Sequence, residues 1–169
     1  MTTTTAPAQT RNLLHAATFV RNWMTQLVGT LSDEQMLHQP VPGANHALWI
    51  IGHSAWCDDQ FLCSLAGTRP KSPAAWKDVF GNGSTPTAKR SDYPPIAEVK
   101  RALEKNRAAL VRWIEGLDEA KLAAPLPDDW KSFAPTHGAF VAFLAAHEGA
   151  HVGQLTVIRK SLGMAPLMG

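Results

Sequence analysis

The chain has 169 residues, of which 45% are hydrophobic and 18% charged, with a formal net charge of +2. The scattered basic residues argue against nucleic acid as a partner. No apolar run approaches the roughly 20 residues that cross a membrane, and the N-terminal segment lacks the features of a signal peptide, so we expect a cytoplasmic protein. The length favours one domain over residues 9–169, after a disordered tail over residues 1–8.

Two segments with helical periodicity open the domain. Apolar residues recur at three- and four-residue spacing from about residue 8 to about residue 28. The second segment covers about residues 46–66, with Asn45 as its candidate N-cap and Gly67 directly after its last turn. It is apolar on nearly all faces, which is typical of a helix inside a bundle or against a partner.

Two further helices complete the predicted bundle. One follows a Pro-Pro pair and covers about residues 96–116, and the other covers about residues 136–163 with Thr136 as its N-cap. Between the two helical pairs, residues 68–93 form a long crossover with one short helix at about residues 74–80. Because no strand-like alternation is present, we predict an all-α fold, a four-helix bundle with a long crossover connection.

The connections after the first and third long helices share one spacing of acidic, leucine and proline residues. Two helical hairpins built on one plan would produce this repeat, and chance is the alternative. The matching positions are Asp33, Glu34, Leu37, Pro40 and Pro42 in the first connection, and Asp118, Glu119, Leu122, Pro125 and Pro127 in the second.

The apolar second helix also bears on assembly and on redox state. Its apolar surface exceeds what a four-helix core needs, so we expect a homodimer packed through helices. The alternative is that the crossover covers this surface within one chain. Cys57 and Cys63 lie six residues apart on this helix and point to roughly opposite faces, so no disulfide is expected and a reducing compartment is indicated.

The strongest local motif is His147-Glu148-Gly149-Ala150-His151. Two histidines four residues apart lie on one helical face and can bracket a single ion, which then needs a third ligand from another helix. The string also matches the zinc-peptidase motif. That interpretation is disfavoured, because Val157 occupies the third-ligand position of the longer motif and no acidic residue follows Glu148.

Three features together resemble the DinB-like superfamily. They are a histidine, His53, inside an apolar second helix, the pattern H-x-x-x-H-x-G-Q-L in the last helix, and Pro-Gly-x-Asn before the second helix. The resemblance implies a four-helix bundle with a long crossover, a tendency to form dimers, and one metal ion held by His53, His147 and His151. Family members with known activities include thiol-dependent transferases and isomerases that use mycothiol, bacillithiol or glutathione.

Three imidazoles leave the far side of an ion open to substrate, as in a catalytic site. The expected cofactor is therefore one divalent ion, zinc or nickel first and iron or manganese as alternatives. The expected function is a metal-dependent, thiol-dependent transferase acting on a small molecule. The alternatives are a metal-dependent hydrolase and a non-enzymatic metal-binding or stress-related protein.

Several neighbouring residues have two interpretations. We expect Cys57 to be a buried small side chain rather than a fourth ligand, and Glu148 to lie at a helix seam rather than act as a general base. Gln154 either orients a ligand histidine or packs against a neighbouring helix. His46 is expected to start the second helix. The residues flanking His53, two tryptophans at positions 49 and 56, are expected to line the pocket.

Overall fold

A computed structural model describes residues 7–167, which form helices and connecting segments. An isolated β-bridge pairs Pro125 with Thr136. No helix in this range is long and apolar enough to span a bilayer. The α-helices are α1 (Ala8–Gly29), α2 (Ala47–Ala66), α3 (Trp76–Phe80), α4 (Ile96–Glu115), α5 (Glu119–Ala123) and α6 (His137–Ser161). The four long ones confirm the predicted all-α bundle, and residues 1–6 of the predicted tail lie outside the described residues.

The helix ends follow the predicted capping residues with one exception. The Thr136 hydroxyl accepts a hydrogen bond from the Ala139 backbone N–H, and Gly67 adopts a left-handed conformation (φ +68°) after α2. The predicted N-cap Asn45 is wrong. His46 caps α2 instead, because its ring Nδ1 accepts the Trp49 backbone N–H at 3.1 Å.

The bundle pairs helices that are distant in sequence. Helix α1 lies along α6 and α2 lies along α4, whereas α2 and α6, and α1 and α4, touch over much shorter stretches. This pairing contradicts hairpins of consecutive helices, which were one of the two explanations for the repeated connections. The connections carry α1 and α2, and likewise α4 and α6, to opposite corners of the bundle.

A layer of four buried charged residues lies between two apolar clusters, and each long helix contributes one of them. Toward the N-terminus of α1 the layer is followed by the cluster around Leu14, and toward its C-terminus by the cluster around Met24. All four charged residues are at most 8% exposed. They are Arg21 from α1, Asp58 from α2, Arg107 from α4 and Glu148 from α6.

Ion pairs within this layer link all four helices. Arg21 donates from Nη2 to Asp58 Oδ2 at 3.0 Å and from Nε to Glu148 Oε1 at 2.8 Å. Arg107 donates from Nε to Asp58 Oδ2 at 3.1 Å and also pairs with Glu148. Arg21 Nη1 further donates to the Leu103 carbonyl at 3.0 Å. Two cations and two anions leave the layer without net charge.

The crossover covers the surplus apolar face of α2. Trp76 and Phe80 of α3 are buried in the same apolar cluster as the first half of α2. Gly52 permits the close approach, because a Cβ there would lie 2.2 Å from the Phe80 ring. Ile50 and Phe61 are buried within one chain, so this face provides no support for a dimer, and the homodimer itself stays a prediction.

We expect Asp58→Asn to lower the free energy of unfolding by about 3–5 kcal/mol, because it leaves two buried guanidinium groups without a full counter-charge. Denaturant titration followed by circular dichroism measures the change. Glu104→Gln on the exposed side of α4 is the matched control and should shift stability by less than about 0.5 kcal/mol. A loss below about 1 kcal/mol for Asp58→Asn would contradict the role assigned to the charged layer.

His46 should make stability depend on pH. Its ring Nε2 donates to the Thr87 carbonyl at 3.0 Å while Nδ1 accepts the Trp49 N–H, so the cap needs a neutral ring. Burial lowers the pKa of His46 to about 4. An unfolded histidine titrates near 6.5, so the unfolded chain binds more protons between these values and stability falls as pH drops from about 6.5 to about 4.

The variant His46→Asn keeps a capping acceptor but does not titrate. Unfolding of this variant should therefore take up about one proton fewer in this window. The slope of its free energy of unfolding against pH should be smaller by up to roughly 1.4 kcal/mol per pH unit. Urea unfolding at several pH values gives both slopes. The exposed His15→Asn is the control, and equal slopes for His46→Asn and the unaltered chain would reject the assignment.

Candidate metal centre

Three histidines meet at the seam between α2 and α6. His53 lies in the middle of α2, and His147 and His151 lie one turn apart on α6. One ring nitrogen from each lies within 4.8 Å of those from the other two, and together they could hold a metal ion. His53 and His151 are buried and His147 is half-buried. The structure thus brings together the three residues singled out in the sequence.

Hydrogen bonds turn the Nε2 atoms toward the shared centre. His53 Nδ1 donates to the Phe80 carbonyl at 2.8 Å, and His151 Nδ1 donates to Gln154 Oε1 at 2.9 Å. Since both partners accept, the Nδ1 atoms carry the protons and the Nε2 atoms of these two rings carry the lone pairs. His147 Nε2 lies 3.2 Å from His151 Nε2. Of the two interpretations of Gln154, the contact with His151 is the one that this geometry favours.

The Phe80 carbonyl is a supporting group that the sequence analysis missed. A backbone carbonyl has no residue-type signature, so only the position of the crossover reveals it. Its approach depends on Gly52, against which the Phe80 ring packs.

Aromatic rings fix the planes of two histidines. Trp49 stacks on His53 with centroids 4.6 Å apart and planes 8° apart. Phe143 stacks on His147 at 5.6 Å and 9°. The ring centroid of Trp56 lies 6.5 Å from that of His53, and Trp56 lines a neighbouring cavity as expected, whereas Trp49 is not among the residues that line this cavity.

The three rings are neutral at physiological pH. Burial lowers the pKa of His53 to about 4 and that of His151 below its ordinary value. Burial, reinforced by the neighbouring His151 and His53, lowers the pKa of His147 to about 3. Metal ions bind neutral imidazole, so the donors are already in the binding form.

The donor set fits a divalent ion of zinc-like preference. Nitrogen ligands at about 2.1 Å from a tetrahedral ion lie roughly 3.4 Å from one another. The 3.2 Å between His147 Nε2 and His151 Nε2 is close to that spacing. Nitrogen-only sites suit zinc, nickel, iron and copper better than magnesium or calcium.

Glu148 does not face this centre. Its carboxylate is 1% exposed and is engaged by Arg21 and Arg107 in the charged layer, on the core side of α6. Its carboxylate is therefore turned away from the three histidines and is not placed to take a proton at this centre. The structure agrees with the predicted position at a helix seam.

Cys57 is a cysteine that lies beside the three histidines. Its Sγ lies 3.4 Å from His53 Nε2 and the side chain is buried, as expected for a small apolar residue. Burial, with smaller contributions from Asp58 and Glu148, raises the pKa of the thiol. The side chain is therefore a protonated thiol in the wall beside the three histidines.

A cavity of about 230 Å³ adjoins the centre, with His147 and Cys57 in its wall. Larger clefts lie elsewhere on the described surface, including one of about 600 Å³ near Thr10 and Glu119, but none of these contains any of the three histidines. Position beside the histidines, not size, makes the smaller cavity relevant to chemistry.

Comparisons with known proteins agree with this architecture. Among solved structures, the chain is similar to YfiT from Bacillus subtilis, described as a probable metal-dependent hydrolase with an unusual four-helix bundle topology. The two share 16% sequence identity with a TM-score of 0.65, over 92% of this chain and 89% of YfiT, which shows a common fold. No curated protein matches the chain. The sequence profile of the DinB superfamily matches residues 16–155, and the chain therefore belongs to the DinB superfamily.

Proposed function

We propose that this protein is a divalent-metal-dependent enzyme acting on a small molecule, with His53, His147 and His151 as the metal ligands. The favoured reaction is transfer of a low-molecular-weight thiol to the substrate. The supporting observation is that three neutral imidazoles converge beside a cavity, with no free carboxylate from residues 7–167 at the centre. Zinc or nickel is the preferred ion, and iron or manganese is the alternative.

When bound, a divalent ion would polarise a substrate oxygen or lower the pKa of a bound water or thiol. The residues of this chain supply binding and orientation. Gln154 and the Phe80 carbonyl hold two imidazoles in the required tautomer, and Phe143 and Trp49 hold the ring planes. The aromatic walls of the cavity exclude water around the reacting group.

The missing general base favours a thiol as nucleophile. Glu148 is held by two arginines, and the three imidazoles would be committed to the ion, so no other side chain of the described part of the chain is placed to take a proton at the centre. The ion would lower the pKa of a bound thiol and of a bound water alike, and the thiol starts from the lower value, about 8.5 against about 15.7 for water, so it gives up its proton more readily without a base. A soft sulfur also suits zinc.

A second candidate is hydrolysis. It is favoured by the fold shared with YfiT, which is described as a probable metal-dependent hydrolase. A third is metal binding without turnover. The two free cysteines are consistent with a cytoplasmic location, which we retain as a proposal.

Tag-free protein should bind one divalent ion per chain, measured by elemental analysis and by titration with cobalt(II). His151→Ala should weaken cobalt affinity at least 100-fold, because two ligands hold an ion far less tightly than three. The exposed His15→Ala is the control and should bind normally.

Removing the ion with a chelator should lower the melting temperature but preserve helical circular dichroism, because the charged layer and two apolar clusters hold the bundle.

The same cobalt protein separates the candidate reactions. Under thiol transfer, adding a small thiol should produce a sulfur-to-cobalt charge-transfer absorption in the near ultraviolet that His151→Ala does not show. No such band together with ester or amide cleavage would establish the hydrolase instead. Cobalt binding with neither response would leave a metal-binding protein, and no cobalt binding would reject the proposal altogether.

We also propose a homodimer, formed through the outer face of α1 and α6 rather than through α2. The exposed residues of α6 between Ala142 and Val157 are all uncharged, and the one acidic residue in that stretch is buried. Phe19 of α1 and Val157 of α6 are 59% and 56% exposed. The Cβ positions of Gly149 and Gly153 face open space, so a second helix can approach closely.

Sedimentation should give about twice the chain mass of 18.3 kDa for the unaltered protein. Val157→Lys should reduce the mass to that of one chain, because a charge buried at a symmetric contact faces its own copy. Glu104→Lys on exposed α4 should leave the mass unchanged. A single-chain mass for the unaltered protein would reject the dimer, and a dimeric Val157→Lys would reject this face.

A further inference from the structure

The cavity beside His147 has a wall of linked aromatic rings. Phe133, 42% exposed, stands where the cavity meets solvent, with its ring centroid 5.2 Å from that of Phe143. Phe143 in turn stacks on His147. Trp130 lies 5.6 Å from Phe133, and Phe61 lies 5.1 Å from Trp130. An apolar surface therefore runs without interruption from solvent to a proposed metal ligand.

The polar groups in the cavity wall carry no formal charge. They are His147, the Cys57 thiol, the amides of Gln60 and Asn82, and the indole N–H groups of the two tryptophans in the wall, Trp56 and Trp130. Asn82 is exposed and Gln60 is half-buried, so they can hydrogen bond to a ligand or to water. A charged group deep in the cavity would lose its hydration without gaining a counter-charge. The occupant is therefore uncharged where it meets the rings.

The volume limits the occupant to about one ring. An apolar cavity of about 150 Å³ accommodates benzene, as known from an engineered protein cavity. At about 230 Å³, this cavity has room for one six-membered ring with a short substituent. A flat ring can lie offset-stacked or edge-to-face against Phe143 and Phe133, which a bulky aliphatic group of the same volume does less well.

We propose that this cavity is the specificity pocket of the enzyme, and that it selects a substrate carrying one uncharged aromatic ring next to the oxygen or sulfur that reaches the three imidazoles. The assignment rests on the proposed metal-dependent function. Phe133 and Phe143 recognise the aromatic ring, which is the part of the substrate that does not react.

Two hydroxamic acids test the pocket by binding to zinc-loaded protein. Benzohydroxamic and acetohydroxamic acid share one metal-binding head and differ by a phenyl ring against a methyl group. Calorimetry should give about 10- to 100-fold tighter binding for the phenyl compound, the effect of burying one ring. Cyclohexanecarbohydroxamic acid, of similar size but not flat, should bind more weakly than the phenyl compound.

Phe133→Ala should reduce the phenyl-over-methyl preference by about threefold to tenfold and leave acetohydroxamate binding unchanged. This ring is exposed, so its loss leaves the bundle core intact, and circular dichroism confirms folding. Val41→Ala, which removes an exposed apolar side chain outside the cavity wall, is the control and should retain the full preference.

The outcomes separate the pocket from the metal. Equal affinity for the phenyl and methyl hydroxamates, in protein that holds one zinc ion per chain, overturns the pocket and leaves the proposed function standing. Failure of both hydroxamates to bind to this zinc-loaded protein has the same meaning. If the protein retains none of zinc, nickel, iron and manganese, the proposed function fails, and the pocket is tested on metal-free protein with benzyl alcohol against ethanol. Equal quenching of tryptophan fluorescence by these two overturns the pocket as well.

Discussion

The ion-pair layer of Arg21, Asp58, Arg107 and Glu148 sets the register of the four long helices. Each helix contributes one member, so sliding or rotating any helix would leave a buried charge without its partner, at a cost of several kcal/mol. Apolar contacts alone discriminate weakly between such alternatives, because one hydrophobic side chain replaces another at little cost. Directional ion pairs therefore decide the relative positions that the apolar clusters then stabilise.

The histidine centre inherits its geometry from this layer. Glu148 directly follows His147, and anchoring its carboxylate toward the core turns the neighbouring imidazole toward the α2–α6 seam. On α2, Asp58 lies just over one turn beyond His53 and holds that helix at a matching height. The seam has room for three rings because α2 and α6 touch over a short stretch, while each packs closely along another helix.

Two kinds of hydrogen-bond acceptor hold the imidazoles, one from the same helix and one from the crossover, and they respond differently to a change in the crossover. Gln154 belongs to the same helix as the ring it orients, so that bond forms with the helix. The Phe80 carbonyl comes from the crossover and depends on the contact of its ring with Gly52. A change that loosens the crossover would therefore disturb His53 before the α6 pair. The crossover thus serves both as a cover for α2 and as part of the centre.

Local patterns in the sequence by themselves determined the helices, the Gly67 and Thr136 caps, and the placement of His147 and His151 on one helical face, because each depends on residues within about one helical turn. The order of motifs along the chain also identified His53. Only the tertiary structure decided which helices pair, that the crossover covers α2, and that Arg21 is buried. The burial of Arg21 requires carboxylates 37 and 127 residues away, and no local periodicity records so distant a partner.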